Sequence, residues 1–301
     1  MSLTFDREFD PPIGVSEQIS PLIRRVVCGN PGPFTFRGTA SFIVGSGEVA
    51  IVDPGPHDEA HLAALLDAVK GEKVSHILVT HTHLDHSPLA KNLKALTGAP
   101  ILAYGPAGDP AETGQVIRLD ASIDGEFLPD VTLRHGDVVA GRNWTLESVF
   151  TPGHMSNHMS YALKEERALF CGDHVMAWST SVIAPPDGNM GQYFKSLRLL
   201  LDRNDAIYYP AHGPARSDPL PLVRAYLVHR RHREESIVMR LRRGDRTIAE
   251  IVKANYADVD PRLHPAAALS TLAHMHYLIE QGRVASSGEA TVDAIYVPLD
   301  R

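Results

Sequence analysis

Cysteine is nearly absent from this chain, with only Cys28 and Cys171 in 301 residues. That excludes a disulfide-stapled scaffold and leaves no cysteine-based metal motif. A reducing, cytoplasmic setting is therefore the expected one. Cys171 reads as a small buried hydrophobe within a strand. Long apolar runs are missing as well. No stretch approaches the roughly 18–20 residues needed to span a bilayer, so no membrane partner is expected. Residues 1–10 are acidic and lack an apolar segment, which argues against a secretory signal or an Arg-rich transit peptide. Excess positive charge is lacking too: the net charge of −7 gives no global pull toward nucleic acid or anionic lipid. No repeat or low-complexity tract is present. What remains, 44% hydrophobic and 22% charged, is the balance of a globular protein with a sizeable core.

Histidine, by contrast, is concentrated. The run His81-Thr82-His83-Leu84-Asp85-His86 crowds three imidazoles and a carboxylate into one short segment. It follows Ser75 to Thr80, an apolar run that reads as a buried strand. Packing does not account for such a cluster, because unpaired His and Asp are costly to bury. Imidazole and carboxylate are instead the usual ligands of zinc. Three further strand-like runs end in turns that carry a His or Asp. Trp144–Phe150 leads to Thr151-Pro152-Gly153-His154, Ala168–Cys171 to Gly172-Asp173-His174, and Ala206–Tyr209 to Pro210-Ala211-His212-Gly213. Strand ends that converge on one sheet edge are how α/β proteins build a site.

H-x-H-x-D-H, then T-P-G-H, then G-D, then A-H-G, in this order over roughly residues 20–215, resembles the metallo-β-lactamase superfamily. The resemblance implies a ligand set. His81, His83 and His154 would hold a first metal, and Asp85, His86 and His212 a second, with Asp173 bridging the two. It implies two Zn²⁺ per chain, with iron or manganese as alternatives, and hydrolysis by a hydroxide shared between the ions. Asp85 is the expected catalytic proton carrier. The D-H pair is similar to that of the superfamily's dinuclear hydrolases and argues against penicillin as substrate. Downstream of the ligands, Asn157, His158 and Trp178 are the candidate substrate-binding residues, with the segment Ser156-Asn157-His158 alternatively supporting the ligands from behind. Pro185–Asn189 reads as an exposed rim loop. His57, His61, His76 and His135 have no ligand spacing and are assigned to structure or surface. At most one of Tyr208 and Tyr209 is expected to face the site.

Alternating strand-like and helix-like runs fit an α+β chain. Ser46-Gly47 joins two strands as a hairpin, Leu62, Leu65, Leu66 and Val69 mark an amphipathic helix, and a helix is expected from His86 to about Leu96. The resemblance sharpens this to a four-layer αββα sandwich. Net charge shifts from −9 over residues 1–221 to +2 over 222–301, near the linker-like Pro219-Leu220-Pro221. The expected domains are therefore a catalytic unit, 1–221, and a C-terminal unit, 222–301. The second reads as a long helix from Leu220 to Leu241, a helix over Ile248–Asn255 capped by Thr247, a helix from Pro265, and a small hairpin. That is the winged-helix order. With His229, Arg230, Arg233 and Glu234 in an H-R-x-x-R-E pattern, it is similar to the superfamily branch that includes a mitochondrial endoribonuclease.

Metal architecture of this kind fixes hydrolysis and leaves the bond unnamed. The leading reading is a small-molecule ester, thioester or lactone. The alternative is single-stranded RNA, for which Arg230–Arg246 is the only basic footprint. A non-hydrolytic iron protein is the third reading, and a homodimer is left open.

Overall fold

A computed structural model describes residues 3–108, 123–257 and 260–299. Two β-sheets lie face to face. The first contains β1 (Glu17–Ser20), β2 (Ile23–Val27), β3 (Ala40–Ser46), β4 (Glu48–Val52), β5 (Lys73–Leu78), β6 (Ile101–Ala103) and β7 (Val131–Thr132), in that order across the sheet. The first four strands are antiparallel neighbours, and β4 through β7 run parallel. Helices α1 (Glu59–Ala68) and α2 (Leu89–Thr97) supply the crossovers from β4 to β5 and from β5 to β6. The second sheet contains β8 (Val138–Ala140), β9 (Thr145–Phe150), β10 (Met159–Leu163), β11 (Ala168–Gly172), β12 (Ile207–Pro210) and β13 (Arg216–Ser217), laid out in the reverse of chain order from β13 to β8. Its α3 (Met190–Leu201) bridges the parallel pair β11 and β12.

Strand alternation sorts the apolar residues into layers. Phe42, Val44, Ala50 and Val52 of the first sheet meet Leu146, Tyr161, Leu163 and Phe170 of the second in the central core. Ile43, Val49 and Ile51 point the other way, onto Leu62 and Leu65 of α1 and Leu93 of α2. Leu169, Cys171 and Tyr208 face outward onto Tyr193, Phe194 and Leu197 of α3. The result is the expected αββα sandwich, with Cys171 a buried, unpaired hydrophobe.

The chain then enters α4 (Leu220–Arg242), which serves two cores. Leu222, Val223, Tyr226 and Leu227 complete the outer layer over the second sheet. Ile237, Val238 and Leu241 join α5 (Ile248–Asn255), α6 (His264–Glu280) and the hairpin of β14 (Val284–Ser286) and β15 (Tyr296–Pro298) in a separate core. The expected division at 221 and 222 thus lies in the first turn of α4. Thr247 and Glu250 form a reciprocal capping box that starts α5. The helix order and the hairpin make a winged helix.

One local expectation fails. The helix expected from His86 begins only at Leu89, with Pro88 as its cap. His86 is held in a turn instead, its amide donating to the His83 carbonyl at 3.0 Å. Neither Tyr208 nor Tyr209 faces the site, because the pleat sends one to the α3 side and the other into the central core.

Candidate metal centre

The C-terminal ends of β4, β5, β9, β11 and β12 open onto one edge of the sandwich. Bonds between the two sheets lock that edge: the Met159 amide donates to the Thr80 carbonyl at 2.7 Å, and the Ala40 amide to the Ala211 carbonyl at 2.8 Å. Thr80 precedes His81 and Ala211 precedes His212, so both sheets are fixed at their ligand-bearing ends. Gly172 lets β11 turn into Asp173. Its φ is +49°, and a β-carbon there would stand 2.6 Å from His158 Nε2 and 2.9 Å from Thr80 Oγ1.

All seven sequence-predicted ligands meet here, in two groups. His81, His83, His154 and Asp173 bring donor atoms within 4.8 Å of one another, and so do Asp85, His86 and His212. Asp173 faces both groups. Its Oδ2 lies 3.6 Å from His154 Nε2, while its Oδ1 lies 3.3 Å from His212 Nε2 and 3.7 Å from His86 Nε2. Asp85 Oδ2 is 3.2 Å from His212 Nε2 and 3.5 Å from His86 Nε2. The Asp85 side chain is 22% exposed, whereas His86 is fully buried, so Asp85 is the group turned toward the opening.

Oxygens behind the ring nitrogens fix the tautomers. Thr80 Oγ1 donates to Asp53 Oδ2 at 2.8 Å and so accepts from His81 Nδ1 at 3.0 Å. His86 Nδ1 donates to Asp53 Oδ2 at 3.0 Å, His154 Nδ1 to the Val182 carbonyl at 2.6 Å, and His212 Nδ1 to the Gly38 carbonyl at 3.2 Å. With Nδ1 committed outward, Nε2 is the atom that each of these rings aims inward. His81 Nε2 and His154 Nε2 stand only 3.0 and 3.1 Å from His83 Nδ1. Among the described residues, His86 Nε2 and Asp173 Oδ1 are buried with no hydrogen-bond partner. Crowded lone pairs and orphaned donor atoms fit divalent cations and fit nothing else in the pocket.

The charge balance agrees. Burial alone would depress His86 and His212, but Asp85 and Asp173 outweigh it, with Asp53 also acting on His86. His86 is raised well above its ordinary value and His212 to about 10. Asp85 and Asp173 are held well below the usual carboxylate range despite burial, chiefly by His86 and His212. His81 and His83 go the other way. Burial and the adjacent imidazoles push His81 far down and His83 to about 3, which keeps both rings neutral and ligating. The two carboxylates thus favour positive charge on the groups that face them.

The candidate substrate residues separate. His158 is fully buried, with Nδ1 on Thr151 Oγ1 at 2.9 Å and Nε2 accepting the Asp173 amide at 3.3 Å. Both of its ring nitrogens are therefore engaged, one of them in holding the backbone of Asp173. Asn157 is also withdrawn from the surface, at 2% exposure. Its amide donates to Thr82 Oγ1 and the Gly105 carbonyl, both at 3.0 Å, which braces the ligand loop. Only Trp178 keeps an open face. It stacks on Phe36 at 4.8 Å and abuts Gly213, next to His212. The Pro185–Asn189 loop is tied down at the rim by Asp187, which accepts from the Ser156 amide at 2.7 Å. His61 and His76 lie outside the centre, His61 on Ser41 Oγ at 2.8 Å and His76 edge-on to Trp144.

Asp53 is the functional residue that sequence reasoning missed. In the sequence, Asp53 marks only the end of a strand-like run before Pro54-Gly55. The available signal was a fifth strand end on the same edge carrying an acid.

Comparison with known proteins agrees with the geometry. Residues 34–212, which contain every ligand, match the metallo-β-lactamase superfamily, and residues 247–294 match the β-lactamase-associated winged-helix domain. The chain is 28% identical to the lactamase-like protein adaB of Aspergillus niger, over 93% of this chain and 87% of that one. It is 31% identical to an atrochrysone carboxyl ACP thioesterase of Aspergillus chevalieri, over 83% and 78%. A β-lactamase domain protein from Burkholderia ambifaria has the same fold, with a TM-score of 0.79 at 21% identity, covering 98% of this chain and 97% of that one. With this ligand set and a winged helix behind it, the chain belongs to the metallo-β-lactamase superfamily and is a metal-dependent hydrolase of its winged-helix branch.

Proposed function

We propose that this hydrolase cleaves a thioester of a small acyl substrate, using two zinc ions held by His81, His83, His154, Asp85, His86, His212 and the shared Asp173. The observation that carries the dinuclear reading is Asp173, whose two oxygens address different donor groups. The donor set is imidazole and carboxylate without thiolate, which suits zinc and also admits iron or manganese. When bound, a pair of such ions supplies Lewis acidity and lowers the pKa of water to about 7.

The protein's own groups do the rest. Asp85 is the exposed carboxylate of the centre and is held ionised, so it can take a proton at its outward oxygen and deliver it to the leaving group. The Trp178 and Phe36 rings, stacked with planes 12° apart, offer an apolar wall to an acyl chain beside His212. The thioesterase relative supports the thioester among the acyl bonds this centre can serve.

The single-stranded RNA reading gains less support. Arg230 is buried, Arg240 pairs with Asp245, and Arg246 is bonded to the Leu241 carbonyl. In α6, the middle of the winged helix, His274 is fully buried and no Lys or Arg is present.

Purified, zinc-loaded protein should release thiol from an acyl-pantetheine or acyl-coenzyme A thioester and leave single-stranded RNA intact. Metal analysis should give two zinc ions per chain. Cleavage of RNA with every thioester, ester and lactone inert would overturn the acyl reading.

A further inference from the structure

The segment after Asp173 returns to the metal centre at Val182, whose carbonyl holds His154 Nδ1 at 2.6 Å. Residues 174–182 therefore connect two ligands, the bridging carboxylate and a first-metal imidazole. Within the sandwich the segment is pinned at His174, whose carbonyl accepts from both Tyr193 Oη and Ser181 Oγ at 2.8 Å. Its far end is pinned from another part of the molecule. Arg230 of α4, only 3% exposed, donates from Nη2 to the Ser181 carbonyl, one peptide before the one that orients His154. The same guanidinium lies over the Tyr193 ring at 5.3 Å and reaches Ser270 Oγ of α6 at 3.5 Å. No carboxylate lies within ion-pair distance of Arg230 among the described residues. Glu234, one turn further along the helix, is directed to His274 and Arg283 instead, at 3.8 and 3.7 Å.

A buried arginine without a carboxylate partner is costly. What it gains here is a fixed carbonyl beside a metal ligand. We infer that Arg230 is a positioning residue for the metal centre: by clamping Ser181 it sets the Val182 carbonyl and hence the His154 ring. The α4–α6 unit is thereby a brace for first-metal affinity rather than a nucleic-acid reader. The inference rests on the metal-centre reading, and the two can fail separately.

The test is metal binding, read by competition with a chromophoric chelator and by the visible absorption of the cobalt(II)-substituted protein. In Arg230→Met, affinity for the first metal should fall by roughly tenfold, the lower end of the range for groups behind a ligand. The cobalt bands should shift, the second-metal affinity should change little, and far-UV circular dichroism should stay as in the wild type. If Arg230→Met does not fold, Arg230→Lys carries the test. Lysine keeps the charge but gathers its donors on one nitrogen, so it cannot reach Ser181 and Ser270 together while lying flat on Tyr193. It should bind the first metal more weakly than the wild type. Wild-type first-metal affinity and cobalt spectrum in a folded Met variant, or in the Lys variant if Met does not fold, would overturn the brace. A wild type that binds no metal would overturn the metal reading itself.

Discussion

The molecule buries charge-bearing groups in two places, and they resolve in opposite ways. In the metal centre, Asp85 and Asp173 stay ionised and His86 and His212 are raised, although burial opposes the charge on each. At the seam between the sandwich and the winged helix, burial wins. His174 is pushed down to about 3, His274 falls well below its ordinary value, and Glu234 rises to about 7. Both nitrogens of each of these histidines lack a hydrogen-bond partner among the described residues. Burial opposes charge in both places, so burial alone does not decide. What differs is the company: in the centre Asp85 and Asp173 stand between His86 and His212 at 3–4 Å, whereas His174 and His274 are faced by Arg230 and by other imidazoles. His81 and His83 make the point within the centre itself. Ringed by imidazoles, they are depressed like the seam histidines. A pocket that keeps its charges is prepared for a cation, and a seam that loses them is a packing interface.

The sharpest way to break this contrast is to remove one charge from the centre. Asp85→Asn keeps the shape but can neither take a proton nor balance His86 and His212. Turnover should fall by about 10²–10⁴-fold, as for a lost proton-transfer group. Bound metal should drop from two ions toward one, with His81, His83 and His154 still loaded. A variant that keeps two metals and wild-type turnover would show that Asp85 contributes no essential charge.

A smaller effect should follow from a residue that touches no metal. Asp53 holds Thr80 and through it His81, and it holds His86 directly. It therefore orients one imidazole of each group. Asp53→Asn should weaken binding of both metals by roughly 10–100-fold while leaving the ligand set intact. Chelator competition measures it. Equal affinities in variant and wild type would mean that the rings are held by packing alone.

Much of this was legible in the sequence, because the ligands are short-range signals. Each follows an apolar strand run, so His81, His154, Asp173 and His212 announce themselves at turns. The capping box at Thr247 and the hairpin at Ser46-Gly47 are equally local. The misreadings came from long-range contacts. Asp53 is separated from His86 by 33 residues, and nothing nearby marks its side chain as a support. His158 and Asn157 sit in a ligand-bearing loop, and only their bonds to the Asp173 amide, Thr82 and Gly105 show that they point inward. Arg230 looked like part of a basic surface because the helix face it occupies is defined by Tyr193 and Ser270, which lie 37 and 40 residues away in opposite directions along the chain.

The smallest expected effect lies in the seam. Burial raises Glu234 from its ordinary 4.5 to about 7, with Glu235 adding and Arg283, Arg231 and Arg198 opposing. Its folded value thus lies above its unfolded one. The stability it contributes is fully present below about pH 4.5 and is lost as pH rises through about 7, because the unfolded chain ionises first. Glutamine has no proton to lose, so Glu234→Gln escapes that penalty. Relative to the wild type, the variant's Tm should be level at pH 4.5 and higher by about 2–4 °C at pH 8. That corresponds to roughly 1 kcal/mol, well under the full linkage value because solvent and Arg283 screen the carboxylate. Taking the difference between the two proteins at each pH cancels the titration of the metal ligands, which both share. A difference profile that is flat from pH 4.5 to 8 would mean that Glu234 is ionised in the fold. The seam would then keep its charge as the metal centre does, and the contrast between the two sites would collapse.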